Sequence, residues 1–222
     1  QSHQRALAAI ANGDFADEIV PVALDDHYPD LAQRAIVTDA RRIDTDEGPR
    51  KDTSLEALAK LRPVFRIGGS VTAGNSSQTS DGAGAVVLAS EQAIKDYGLT
   101  PLARFVGFAV AGVPPEIMGI GPKEAIPRAL AATGIRKEQL DWIELNEAFA
   151  AQSLAVIQDL GLDPAKVNPL GGAIALGHPL GATGAVRTAT LLHGLRRRRQ
   201  KYGMVTMCIG TGMGAAGIFE AA

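Results

Sequence analysis

Cysteine occurs once in the 222 residues, at Cys208. A single thiol closes no internal disulfide, so a cross-linked secreted scaffold is excluded while the redox compartment stays open. Net charge is also scarce: 22 Lys and Arg against 24 Asp and Glu leave −2 at neutral pH. That balance gives neither nucleic acid nor an anionic membrane a reason to be the main partner. No apolar run approaches the roughly 20 residues of a membrane-spanning helix, and the opening residues carry no signal-peptide pattern. A starting Met is missing too. The sequence opens on Gln1-Ser2-His3-Gln4-Arg5-Ala6-Leu7, with Leu7, Ile10 and Ala11 at helical spacing and no clear cap before them. It reads as a segment of something longer, whose natural start is expected elsewhere.

Hydrophobic residues make up 46% of the chain and charged residues 21%, which fits a globular protein of one or two domains with a real core. Glycine is in surplus: 25 of 222 residues, against a usual level of about 7%. Twelve of the 25 fall within 161–217, so the surplus is local.

Residues 1–13 read as a helix stopped by Asn12-Gly13. The stretch to Pro63 reads as charged and irregular, with turn-like clusters at 25–27 and 44–49. A short helix over 54–61, capped by Thr53 or Ser54, interrupts it. Ala85-Val86-Val87-Leu88 has the continuous apolar character of a buried strand, and a helix over 91–97 ends at Gly98. From residue 101 the pattern becomes regular. Strands are predicted at 102–110, 141–145, 167–175, 203–209 and 215–220, and helices at 122–132, 147–160 and 183–198. Their alternation indicates an α/β domain whose sheet is buried on both faces.

Three loops follow strands, where open α/β sheets place their sites. In Asn146-Glu147-Ala148-Phe149-Ala150 a strand turns directly into a helix. Asn146 there is either a helix N-cap or a catalytic amide, and the cap is the commoner role. The second loop runs from Asn168 to Gly184 through Gly177-His178-Pro179. Pro179 keeps the His178 backbone extended, and the glycines allow a ligand close approach. Structural and catalytic roles for His178 are balanced on these residues alone. His3, His27 and His193 lack such a setting and read as surface or partly buried side chains. The third loop is Cys208-Ile209-Gly210-Thr211-Gly212-Met213-Gly214. A free cysteine is usually a small buried hydrophobe, but a glycine loop beside it offers N–H donors to an oxyanion. The G-x-G-x-x-G at Gly212–Gly217 is followed by only Ile218–Ala222, so it is not expected to open a dinucleotide-binding βαβ unit. Arg196-Arg197-Arg198-Arg199 complements a helix C-terminus. No cluster has zinc-ligand spacing.

Taken together, the three loops resemble the thiolases, in order and in spacing. The resemblance runs over essentially the whole chain and includes Val71–Ser77 and the Ser2–Ala6 opening. The stretches 113–122 and 171–184 look most like degradative 3-ketoacyl-CoA thiolases (acetyl-CoA acyltransferases), with acetoacetyl-CoA-specific thiolases the close alternative. The resemblance implies an α/β thiolase fold in αβαβα layers. Residues 1–62 would be the tail of the loop domain and a linker, 63–100 the end of the N-terminal half, and 101–222 the complete C-terminal half. It implies thiolytic cleavage of 3-ketoacyl-CoA in fatty acid β-oxidation. His178 would activate a nucleophilic cysteine and, with a water held by Asn146, form an oxyanion hole. Cys208 would be the acid/base, and the Gly210 N–H half of a second oxyanion hole. Arg50, Ala73, Gly74, Ser77, Ala148 and Phe149 match positions lining the CoA site. CoA would be a substrate, with no permanently bound cofactor and no metal. A homodimer or homotetramer is implied; a cytoplasmic location is expected, with peroxisome and mitochondrion open.

The sequence departs from the family in one large respect. Cys208 matches the acid/base cysteine, so the acylatable one is absent, and the chain alone is expected to be inactive. The N-terminal half that carries it would lie on the same precursor or on another chain. Two other classes follow: a non-catalytic acyl-CoA or lipid-binding protein of thiolase fold, and a Cys–His hydrolase with Cys208 as nucleophile. Thr211 stands where the family usually has Gly, with a small effect expected unless the position needs φ > 0.

Overall fold

A computed structural model describes residues 1–222. The chain starts with α1 (Ser2–Asn12), which Gly13 ends in the left-handed conformation at φ 73°, as the Asn-Gly pair predicts. The next segment departs from expectation. It forms an antiparallel hairpin, β1 (Val22–Asp30) and β2 (Ala35–Ile43), with Val22 opposite Ile43 and Asp30 opposite Ala35. Nearly all its side chains are exposed on both faces. No two-residue apolar period was therefore required, and none marks it in the sequence. Pro29 is tolerated because each strand of a lone hairpin is an edge.

Helix α2 (Leu55–Ala59) is capped by Ser54, whose Oγ accepts the Ala57 N–H at 3.1 Å; Thr53 is not the cap. The expected strand at Ala85–Leu88 does not form. Residues 77–90 adopt neither helix nor strand, and Val87 and Leu88 are 89% and 88% exposed. A strand needs a neighbour for its ladder, and no strand of this chain lies beside these residues. Helix α3 (Glu91–Tyr97) follows, ended by Gly98 at φ 59°.

The remaining elements are β3 (Ala103–Gly112), α4 (Gly121–Thr133), β4 (Leu140–Leu145), α5 (Ala150–Leu160), α6 (Ala173–Leu176), α7 (Thr183–Arg198), β5 (Tyr202–Ile209) and β6 (Met213–Ala221). The strand predicted at 167–175 shrinks to one parallel bridge, Val167 with Ile143. Asn168 at φ 46° and Gly171 at φ 92° turn the chain out of extended conformation, and α6 takes up the rest. The sheet has the order β3-β6-β5-β4, with β4 and β5 parallel and the other pairs antiparallel.

Alternation along β4 sorts its side chains between two layers. Ile143 and Leu145 join Ile126, Ala129, Val156, Met204 and Ile218 beneath α4 and α5. Trp142 points the other way, into a cluster with Leu191, Leu195, Val205 and the α1-side residues Ala9 and Phe15. Gly194 is required there, because the Trp142 ring occupies the space its Cβ would need. Burial on both faces holds for β4 and β5 but not for β3, where Phe105, Phe108 and Val110 are each more than half exposed. No helix is long and apolar enough to cross a membrane.

Candidate functional site

Asn146 follows β4 directly and prolongs the ladder, its N–H donating to the Thr206 carbonyl at 3.0 Å. The residue is fully buried. Helix α5 begins at Ala150 with Phe149 as its N-cap residue, three residues later than expected, so Asn146 is not a cap. Neither its Nδ2 nor its Oδ1 has a partner. Unpaired buried amides are costly and rare; this one presents a donor and an acceptor to a polar guest such as water.

A polar frame holds this corner. Asn168 accepts the Leu145 N–H at 2.9 Å and donates to the Leu145 carbonyl at 2.7 Å, standing in for a neighbouring strand. Glu147 accepts the Ser2 hydroxyl at 2.7 Å and the Ile174 N–H at 3.1 Å, tying α1 and α6 to the Asn146 loop. These anchors were not anticipated. Their signal was polar residues standing among apolar ones with no cap or turn to explain them.

His178 lies between α6 and α7. Gly177, at φ 84°, brings the backbone against Ser80, whose Oγ accepts the His178 N–H at 3.1 Å. The ring Nδ1 lies 2.7 Å from Thr183 Oγ. Burial first, and then the Arg187 guanidinium, lower the imidazole pKa, so the ring is neutral near pH 7. Arg187 is itself buried and pairs with the fully buried Glu144 at 3.4 Å. Glu144 also accepts the Trp142 indole N–H at 2.7 Å, and burial pushes its carboxyl up to about 7.

Cys208 is the penultimate residue of β5 and faces Gly214 across the β5–β6 ladder. Burial pushes its thiol up, so Cys208 holds its proton at neutral pH. The turn beyond it is Gly210-Thr211-Gly212, and the Gly210 N–H donates to no backbone acceptor. Thr211 has φ 54°: the position does need φ > 0, and a β-branched residue there costs about 1–2 kcal/mol relative to glycine.

Asn146 and Cys208 stand at the carboxyl ends of adjacent parallel strands. The first turns of α7, with Thr183 and Arg187, bring the His178 loop to the same end through the Arg187–Glu144 pair. His178 and Cys208 share no hydrogen bond; the ring's partner is Thr183. The end of the sheet thus carries a protonated thiol, an unpaired amide and a free backbone N–H, and the α7 segment that holds the neutral imidazole is tied to β4 through Arg187. Such a set moves protons and steadies an oxyanion. It holds no second thiol.

The six remaining residues fall in two groups. Arg50, Ala73 and Gly74 line a groove of about 540 Å³ together with His3, Asp52 and Leu58. His3 accepts the Arg50 N–H at 3.0 Å, so it belongs to this wall rather than to the general surface. Ser77, Ala148 and Phe149 sit on a short antiparallel contact, with the Ser77 N–H donating to the Ala148 carbonyl at 2.9 Å. Gln78 joins the two groups. It lines the groove, and its Nε2 lies within 2.9–3.1 Å of the Gly48, Ile174 and Ala175 carbonyls. No group of His, Cys, Asp and Glu is placed to hold a metal ion.

Comparison with known proteins decides what kind of molecule this is. The family model described as thiolase, C-terminal domain, matches residues 99–221, and that for the thiolase N-terminal domain matches residues 1–92. The chain belongs to the thiolase family. The 3-ketoacyl-CoA thiolase of Bacillus subtilis (strain 168) is 53% identical over 226 residues, covering 99% of this chain and 56% of that protein. The crystal structure of human mitochondrial 3-ketoacyl-CoA thiolase superposes with a TM-score of 0.92 at 49% identity, over 100% of this chain and 53% of the other. A crystal structure of that human thiolase in complex with CoA gives 0.88 at 46% identity, again over 100% and 53%. The chain therefore spans about half the length of the thiolases it matches.

Proposed function

We propose that this chain supplies the acid/base half of a 3-ketoacyl-CoA thiolase, which cleaves 3-ketoacyl-CoA with CoA to acetyl-CoA and a shortened acyl-CoA. The observation that carries the reading is the fully buried, unpartnered amide of Asn146 at the carboxyl end of β4, next to the parallel strand that carries Cys208. A binding protein has no use for an acid/base pair, and a cost of this kind is retained where it acts.

Thiolysis requires a thiolate on a second cysteine, which this chain does not carry. His178 takes the proton from that thiol, and the sulfur attacks the 3-keto carbon. The bond between C2 and C3 then breaks, leaving the acyl group on sulfur and the acetyl-CoA enolate. The protonated imidazole and a water on Asn146 donate to the enolate oxygen. The Cys208 thiol protonates the enolate carbon, a role suited to a thiol whose pKa burial has raised. The Cys208 thiolate next takes the proton of incoming CoA, whose sulfur removes the acyl group, and the released cysteine thiolate takes its proton back from His178. Arg50 and the groove beside it would hold the CoA. The apolar face left open by Phe105, Phe108 and Val110 supports a homo-oligomer.

A thiolysis assay tests this directly. The purified chain alone is expected to be inactive, and activity is expected when it is joined to a thiolase half bearing the second cysteine. In the joined enzyme, Cys208→Ser is expected to keep labelled acyl group on the other cysteine while turnover falls about 100-fold or more. Thiolysis by the chain alone, or Cys208→Ser with unchanged turnover, would overturn the assignment.

A further inference from the structure

We propose that Thr183 is a positioning residue that fixes His178 as its Nδ1–H tautomer and leaves Nε2 free as the base. A hydroxyl carries one hydrogen and accepts through its lone pairs. Thr183 Oγ has two neighbours: the Pro179 carbonyl at 2.9 Å, which can only accept, and His178 Nδ1 at 2.7 Å. If the hydroxyl donates to the carbonyl, Nδ1 must be the donor in the second bond. The reverse assignment leaves the Thr183 oxygen facing two acceptors with one hydrogen, on a residue only 1% exposed.

The Pro179 carbonyl already takes the Ala182 and Thr183 N–H groups at 2.8 and 2.9 Å. Sharing of this kind is the rule for threonine bonded back one turn. Thr188 in the same helix shows it, donating to the Gly184 carbonyl at 2.7 Å, and Thr133 of α4 donates likewise to the Ala129 carbonyl at 2.8 Å. Thr183 thus follows the habit of its own helix. The His178 backbone is fixed separately, by Pro179 and by the bond to Ser80, which leaves ring orientation and tautomer to Thr183.

The inference rests on the thiolase reading only for what Nε2 does; the tautomer itself is a property of this chain. Its test is ¹⁵N spectroscopy of the ring nitrogens in the 222-residue chain labelled at histidine, held near pH 8 so that the His178 imidazole is neutral. Loss of one signal pair in His178→Gln assigns it among the four histidines. Expected are a protonated Nδ1 and a bare Nε2. Thr183→Val removes the acceptor at almost constant shape and is expected to move the tautomer ratio roughly fivefold toward Nε2–H, while Thr183→Ser keeps the wild-type pattern. A bare Nδ1 in the wild type overturns the proposal, as does a folded Thr183→Val with an unmoved ratio. If Thr183→Val does not fold, the wild-type and serine spectra still decide. In the joined enzyme Thr183→Val is expected to lower kcat about tenfold with KM unchanged, and serine to restore it. An Nδ1–H ring in a joined enzyme without thiolysis would sink the proposed function and leave this inference standing.

Discussion

The two parts of this chain use apolar residues to opposite effect. Between Ala16 and Val110 not one residue is buried, although Val22, Leu31, Ile36, Val87 and Leu88 all lie there. Beyond Val110 the same residue types close two clusters, one on each side of the sheet, the second of them completed by Ala9 and Phe15. An apolar pattern becomes structure only where a facing surface and a hydrogen-bonding neighbour exist. The later region has both within the chain. The earlier one has hairpin bonds, caps and the Gln78 and Ser80 contacts that tie it to the His178 loop.

The sharpest way to break the contrast is to unpair a charge on each side of it. Arg187→Met leaves Glu144 buried without its cation, and urea unfolding at pH 8 is expected to show a loss of about 3–5 kcal/mol. At pH 6 the loss should shrink, because the Glu144 carboxyl, pushed up to about 7, can stay neutral. Arg41→Met, which breaks the exposed pair with Asp26 in the hairpin, is expected to change little. Equal losses from the two substitutions would remove the distinction.

A smaller effect, of opposite sign, is expected where the turn after α1 meets α7. The Glu18 carboxyl accepts the Thr190 hydroxyl at 3.0 Å while its second oxygen is buried without a partner. Burial pushes its pKa up to about 7 from 4.5. The folded state therefore binds this proton more tightly than the unfolded one, so stability falls as pH rises between about 4.5 and 7. Glu18→Gln should thus stabilise the chain by about 1–2 kcal/mol at pH 8 and by almost nothing at pH 4.5. A gain independent of pH would place the benefit in packing rather than ionisation.

What could be read in the sequence follows the same division. The helix ends at Gly13, Gly98, Gly134 and Gly161 and nearly the full extent of α7 were legible, because caps and 3.6-residue periods are local signals. The hairpin over 22–43 was not, since its ladder needs no apolar alternation. The strand expected at 167–175 failed because Asn168 took a left-handed conformation, which one sequence does not announce. At the site, Asn146, His178 and Cys208 stood out by their place after strands and among glycines. Of the residues that set their state, Thr183 lies five positions beyond His178 and Glu144 two before Asn146, close in the chain. Only folding brings Asn168 to Leu145 and Arg187 to Glu144.

The weakest expected effect tests the comparison at its exposed end. Val87 lies in the stretch that reads as a buried strand yet is 89% exposed. Val87→Ser in this chain should shift unfolding free energy by no more than about 0.5 kcal/mol, as exposed substitutions do. The same change at Val156, fully buried under the sheet, should lose several times as much, because it opens a void and buries a hydroxyl. Joining the chain to the thiolase half proposed above should reverse the result at Val87: a neighbouring strand would cover it, and the substitution should then cost about 1–3 kcal/mol. A large cost in the isolated chain would mean that residues 85–88 already pack against something in it. No cost in the joined enzyme would mean that the apolar run belongs to no sheet, and that its reading as a strand was wrong in both settings.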